Sequence, residues 1–187
     1  MVQPSTLRSV FARPTPRRLL VASPFVAVTI VLVAMAIFFM DLLSAARAYV
    51  GGESLWTKGQ KEAVQHLERY AQTRAEASWH AYSQAIAVPL GDRIAREELE
   101  KPSPDYGVAR RGFIAGANHE DDIDGMIRLF RWFRRASFID EAIRIWAEAD
   151  GLIAQLTDTA EQLHRAVQAN AGADALSPLV QRIEDLD

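Results

Sequence analysis

The pattern of apolar and polar positions begins with an unbroken apolar block. From Leu19 to Met40 the chain reads LLVASPFVAVTIVLVAMAIFFM, with no charged residue and only Ser23, Pro24 and Thr29 as interruptions. As a helix rising about 1.5 Å per residue, these 22 residues span roughly 33 Å, against a hydrocarbon core of about 30 Å. A helix satisfies its own backbone hydrogen bonds, so the block predicts a transmembrane helix over residues 19–40. Helical spacing continues through DLLSAARAYV, and Gly51-Gly52 predicts a break or kink.

Beyond the glycines the period stays helical. Trp56, Ala63, Leu67 and Tyr70 share one face, and Thr73 with Glu76 reads as a capping box that starts a new helix carrying Trp79, Tyr82 and Ile86. Pro89-Leu90-Gly91-Asp92 reads as a turn, with Asp92 capping a short helix through RIAREELEK. Pro102-Ser103-Pro104-Asp105 is a loop. A helix over about 105–117 follows, with glycines at 107, 112 and 116 that allow another backbone to approach closely. Asn118-His119 reads as a stop, and as a polar pair able to cap both neighbouring helices. Glu120, Asp121, Asp122 and Asp124 open a helix that closes on Arg128, Arg131, Arg134 and Arg135, as the helix dipole favours. Ser137 and Asp140 offer caps for the longest helix. There Ala142, Trp146, Ala149, Ile153, Leu156, Ala160, Leu163 and Val167 alternate steps of four and three. That seam predicts packing against other long helices. Asn170 to Asp174 reads as a loop and Leu176 to Asp187 as a last amphipathic helix. No window alternates like a strand. The expected fold class is therefore all-α: one transmembrane helix followed by an up-and-down, four-helix-bundle-like domain over residues 41–187.

Charge gives the anchor a direction. Arg8, Arg13, Arg17 and Arg18 precede it, and the first 40 residues contain no Asp or Glu. The positive-inside bias puts the N-terminus in the cytoplasm and residues 41–187 in the periplasm, anchored in the inner membrane. Ala46-Arg47-Ala48 resembles a signal-peptidase site, but the apolar block is longer than the usual h-region of about 7–15 residues, which favours an uncleaved anchor. Residues 1–18, with three prolines, read as a disordered cytoplasmic arm. Without the four N-terminal arginines the chain has 17 basic residues against 24 acidic, a balance of −7 that argues against nucleic-acid binding. There is no Cys, so the exported part must hold together by its core.

Motifs of enzyme chemistry are nearly absent. There is no phosphate loop, no G-x-S-x-G and no His pair at i, i+4. Glu161-x-x-His164 matches half of a di-iron pattern, but no second copy occurs, and no metal or other cofactor is expected.

Several stretches together carry a resemblance. They are Arg47-Ala48-Tyr49-Val50-Gly51-Gly52-Glu53 with Leu55-Trp56, Lys58 and Lys61; Val88-Pro89-Leu90-Gly91-Asp92 with Ala95-Arg96; and Glu98-Leu99-Glu100-Lys101-Pro102. Further on come Gly112-Phe113, Gly116, Asn118-His119, Asp121-Asp122-Ile123 and Met126-Ile127, then Ala142-Ile143, Trp146 and Asp150. Over about residues 41–165 the chain resembles the N-terminal extracytoplasmic helical sensory region of bacterial transmembrane signalling proteins, chiefly those with GGDEF or EAL output domains and some histidine kinases. The resemblance implies a sensory input module, not an enzyme, that relays a helix rearrangement to a cytoplasmic output. It implies a second membrane crossing and an output domain, so the chain reads as cut short before that crossing or as an orphaned input module. A homodimer is expected. Trp56, Lys58, Asn118, His119, Trp146 and Asp150 are the expected binding residues for a small polar or anionic ligand. The competing expectation is a membrane-anchored scaffold without a ligand, docking partner helices along the Ala142–Val167 seam.

Overall fold

The computed structural model describes residues 16–134 and 137–186, and these are helical, without strands. The helices are α1 (Pro16–Thr73), α2 (Glu76–Glu100), α3 (Tyr106–Ala115), α4 (Glu120–Phe133), α5 (Ser137–Gln168) and α6 (Ala173–Glu184). The expected disordered arm lies outside the described residues up to residue 15. Residues 16–18 instead belong to α1, which opens on Pro16, a residue suited to a first helical turn because its missing N–H has no partner there anyway. The capping side chains expected at Ser137 and Asp140 also lie outside what is described.

The chain divides between Asp41 and Leu42 into two compact units. In the first, every residue from Ser23 to Met40 is exposed. Phe25 is 73% exposed and Met40 70%. This is the one helix among the described residues that is long and apolar enough to cross a membrane.

The second unit has two apolar clusters. In the larger, Leu67 and Tyr70 of α1 meet Tyr82 and Ile86 of α2, Leu176 and Ile183 of α6, and α5. The α5 side is the predicted seam from Ile153 through Leu156, Ala160 and Leu163 to Val167, all buried. That part of the seam is occupied by the chain's own core and is closed to a partner helix. His164 joins the cluster's edge: its Nδ1 pairs with the Tyr70 hydroxyl at 2.8 Å, and its ring stacks on Trp79 at 4.1 Å. Glu161 points elsewhere, toward Arg165. The smaller cluster gathers Ala95 and Leu99 of α2, Phe113 of α3, and Ile123, Met126 and Phe130 of α4, with Ala48 and Tyr49 of α1 packed against it.

Two expected interruptions do not occur. Gly51-Gly52 lies inside α1, and Pro89 to Asp92 lies inside α2. The reason is close packing. A methyl group built on Gly52 would stand 2.8 Å from Asn118 Oδ1, and one on Gly91 would stand 2.5 Å from Gly116 N and 2.7 Å from Gly112 O. Glycine here makes room for a neighbour instead of ending a helix. Pro89 cannot donate to the carbonyl of Ala85, and that carbonyl faces Gly59, where a methyl group would lie only 2.9 Å away. The proline's defect thus falls where α1 and α2 are in close contact. The capping box also fails. Thr73 ends α1, its hydroxyl donating to Arg69 O, and the residue before α2 is Ala75, which has no capping side chain.

The Pro102–Asp105 loop occurs as read. Asp105 caps α3 by accepting from Gly107 N at 2.8 Å and Val108 N at 3.2 Å. Its own N–H donates to the buried carboxylate of Glu98, whose pKa is lowered by Lys101 first and by this amide second. Loss of such a cap typically costs about 1 kcal/mol. Asp105→Ala should therefore lower the melting temperature by about 2–4 °C, the usual shift per kcal/mol at this size. An unchanged melting curve would mean that the cap contributes nothing.

Candidate functional site

The two tryptophans expected in the site, Trp56 and Trp146, line one cavity of about 210 Å³ in the second unit, together with Asp150. Its walls come from five helices. α1 contributes Tyr49, Glu53 and Trp56; α2 contributes Asp92, Arg93 and Arg96; α3 gives Phe113; α4 gives Met126 and Phe130; α5 gives Ile145, Trp146 and Asp150. The aromatic side is ordered by stacking. The Tyr49 ring lies parallel to Trp146 at 5.9 Å and edge-on to Phe113 at 6.3 Å, and its hydroxyl donates to Met126 O at 3.1 Å. Burial, and next the nearby Asp92, push the Tyr49 pKa far up, so its hydroxyl stays protonated.

The polar side is a small network. Arg96 donates to Asp150 and to Glu100, and Arg93 donates to Glu97 at 2.7 Å. Burial works against the charge of Arg96, but its hydrogen bonds to Asp150 and Glu100 outweigh this and raise its pKa. Burial pushes the Asp150 carboxyl up, with Arg96 pulling the other way. Asp92 differs from both. Among the described residues its side-chain hydrogen-bond partner is neutral: Asn118 Nδ2 donates to Asp92 Oδ1 at 2.8 Å. Burial pushes the Asp92 carboxyl up to about 7; Asn118 opposes the shift and Asp150 adds to it.

Asn118 is itself buried behind the cavity wall. Its amide also donates to Phe113 O at 3.1 Å, near a chain reversal in which Ala117 takes φ 59°. It therefore holds Asp92 in place and ties α2 to the α3–α4 connection. The remaining two expected site residues are elsewhere. Lys58 is exposed and faces Glu62 at 3.7 Å. His119 is exposed at the start of α4, where its Nδ1 accepts from Asp121 N at 3.3 Å. The exposed Lys58 points off the cavity because it stands two residues beyond Trp56 on α1. His119 is taken up by capping.

Comparison with protein-family models, with characterised proteins and with solved structures finds no match. The geometry is therefore the ground for a functional reading. Asp92, Arg96, Tyr49 and Phe113 belong to the site although sequence reasoning did not place them there. Asp92 was masked by its neighbours: after Pro89 and Gly91 it reads as a turn residue. The usable signal was the spacing Asp92-x-x-x-Arg96, which puts an acid and a base on one face of a helix once α2 is read as continuous. Among the described residues no group of three or more His, Asp or Glu side chains is arranged to hold a metal.

Proposed function

We propose that this chain is a membrane-anchored sensory input module and not itself an enzyme. In this reading the apolar part of α1 crosses the inner membrane with its N-terminus in the cytoplasm. Residues 41–187 then form an up-and-down bundle in the periplasm, resembling a four-helix bundle, which binds a small polar ligand. The observation that carries the reading is the cavity itself, an aromatic pocket with a few convergent charged groups, which is the usual form of a small-molecule site. The liquid volume of one water is about 30 Å³, so about 210 Å³ suits a metabolite of several heavy atoms.

Two features support an anchor that is not cleaved. Ala45 is buried, and Ala48 and Tyr49 pack against the cluster of Phe113 and Met126. Cutting after Ala48 would strip packed side chains from the domain. The wall residues Tyr49, Glu53 and Trp56 also belong to the same helix as the apolar stretch. A ligand touching them and Trp146 of α5 can favour one arrangement of α1 over another, and α1 can carry that change toward the membrane. Only differential affinity for the two arrangements does this. A complete switch needs about 5.5 kcal/mol, and a homodimer moving helix against helix is the assembly suited to it. The output would be a cytoplasmic domain that residues 1–187 do not include.

The test is a thermal-shift screen of the purified chain in lipid nanodiscs against small metabolites, repeated with Trp146→Ala. A ligand present at about 100 times its Kd adds about 2.7 kcal/mol to the folded state. A shift that vanishes in the variant supports the reading. A broad library giving no shift that depends on Trp146 would sink it.

A further inference from the structure

The charges around the cavity are unequal in one respect. Both arginines on its wall are engaged: Arg93 with Glu97, and Arg96 with Glu100 and Asp150. Neither guanidinium is left over to hold an anion. The acids outnumber them, because Glu53, Asp92 and Asp150 also line the wall. Asp150 has its arginine. Glu53 is exposed at the side. Asp92 is recessed, and among the described residues its carboxylate is hydrogen-bonded by the neutral amide of Asn118 and by no cationic side chain. A recessed carboxylate without a cation is unfavourable on its own, and it becomes favourable when a positive group pairs with it. The rest of the wall is aromatic, from Trp56, Trp146, Tyr49, Phe113 and Phe130. Aromatic faces attract cations, and organic ammonium ions most usefully, since these expose carbon to the rings and charge to the acid.

We propose that this cavity recognises a small organic cation, a primary or quaternary amine, with Asp92 as the counter-charge and Trp56 and Trp146 as its aromatic walls. The proposal rests on the reading of the domain as a ligand-binding input module and narrows the ligand to one class. It differs from the anionic ligand that Lys58 and His119 would suit, because those two residues stand outside the cavity.

A pH dependence follows. Asp92 is faced by Tyr49 and Glu53 from α1, by Arg93 and Arg96 on its own helix, by Asn118 from the α3–α4 connection and by Asp150 from α5. Phe113 of α3, with Met126 and Phe130 of α4, adds no titrating group. Burial holds the free carboxyl near neutrality, at about 7. A cation binds the ionised form, so binding releases a proton wherever Asp92 is partly protonated. About one Asp92 in eleven would be ionised at pH 6 and about ten in eleven at pH 8, which makes affinity about tenfold higher at pH 8.

The experiment uses the full chain in nanodiscs and isothermal titration with four cations: tetramethylammonium, choline, putrescine and agmatine. 3,3-Dimethyl-1-butanol serves as the uncharged counterpart of choline, and acetate and succinate as anions. At least one cation is expected to saturate. For that cation, affinity should fall about tenfold or more in Asp92→Asn, change less than about twofold in Asp174→Asn, an exposed carboxylate of α6 away from the cavity wall, and rise about tenfold from pH 6 to pH 8. If it is choline, the neutral counterpart should bind at least about tenfold more weakly, a comparison that needs no variant. The proposal is overturned if no cation binds, if binding ignores Asp92→Asn in a folded variant, or if the neutral counterpart binds equally. When the cations fail but an anion or another metabolite gives a shift dependent on Trp146, only the ligand class is wrong. When neither binds, the input-module reading falls with it.

Discussion

Gly91→Ala should destabilise the protein by about 3 kcal/mol, although alanine is normally the better helix residue by about 1 kcal/mol. The added methyl group would stand 2.5 Å from Gly116 N and 2.7 Å from both Ala115 C and Gly112 O. All three are backbone atoms of α3 or its end, so no side-chain rotation relieves the contact. α2 and α3 must move apart, and the pairing of Gly112 with Ala95 opens with them, since a methyl group on Gly112 would meet Ala95 N at 2.7 Å. Overpacking of this sort commonly costs about 1–3 kcal/mol, and the rigid partner puts Gly91 at the upper end. The melting temperature should fall by about 6–12 °C on the usual scale for this size. Gly51→Ala and Gly151→Ala are the controls. Nothing lies within 4 Å of the methyl position at either, and both residues are exposed in mid-helix. Each should gain about 0.5–1 kcal/mol. Melting followed by tryptophan fluorescence would decide it: three variants behaving alike would mean that the α2–α3 crossing is not as tight as described.

The same glycines explain what could and could not be read from the sequence. Periodicity was a sound guide wherever one face of a helix is buried. The seam from Ile153 to Val167 emerged as a buried row because core burial imposes a period of 3.6 on any sequence that obeys it. Glycine and proline were poor guides because they serve two physical ends. Each can end a helix through its backbone, and glycine can equally let two helices touch. Nothing local separates Gly91, pressed on α3, from a glycine in a turn; the partner is about twenty residues away in the chain. Of the glycines at 107, 112 and 116 read as contact residues, 112 and 116 press on α2, whereas 107 meets only the nearby side chains of Asp105 and Arg111. The site followed the same division. Trp56, Trp146 and Asp150 line the cavity and Asn118 lies just behind it, whereas Lys58 and His119 were selected for their chemistry without a geometric reason. Asp92 was missed because assigning it to a turn removed it from the helix face it shares with Arg96.

Asp92→Asn should make the protein more stable, by about 2 kcal/mol at pH 8 and by little at pH 4. Folding raises this carboxyl from 3.8 to about 7, chiefly through burial. Between those values the folded state binds more protons than the unfolded state, so stability falls as pH rises, and the full penalty is present above pH 7. Each unit of displacement is worth about 1.4 kcal/mol, and residual hydration of a partly open cavity reduces the total to about 2. One other carboxyl shares this window. Burial raises Asp150 too, which adds to the same slope. Glu98 and Glu141 are lowered, by Lys101 and Arg144 respectively, so their contribution is lost only as pH falls below the ordinary carboxylate range. Tyr82, pushed up to about 12 by burial, acts only in alkali. Wild-type melting temperature should therefore decline from pH 5 to pH 8, and Asp92→Asn should flatten that decline and melt about 4–8 °C higher at pH 8. Asparagine keeps an oxygen for the Asn118 amide, so the variant retains the local hydrogen bond while losing the charge. A destabilised variant, or one with the wild-type slope, would mean that Asp92 is hydrated or paired in the free protein. A stabilised one would identify a carboxylate held at a cost to the fold, as expected of a group kept for binding.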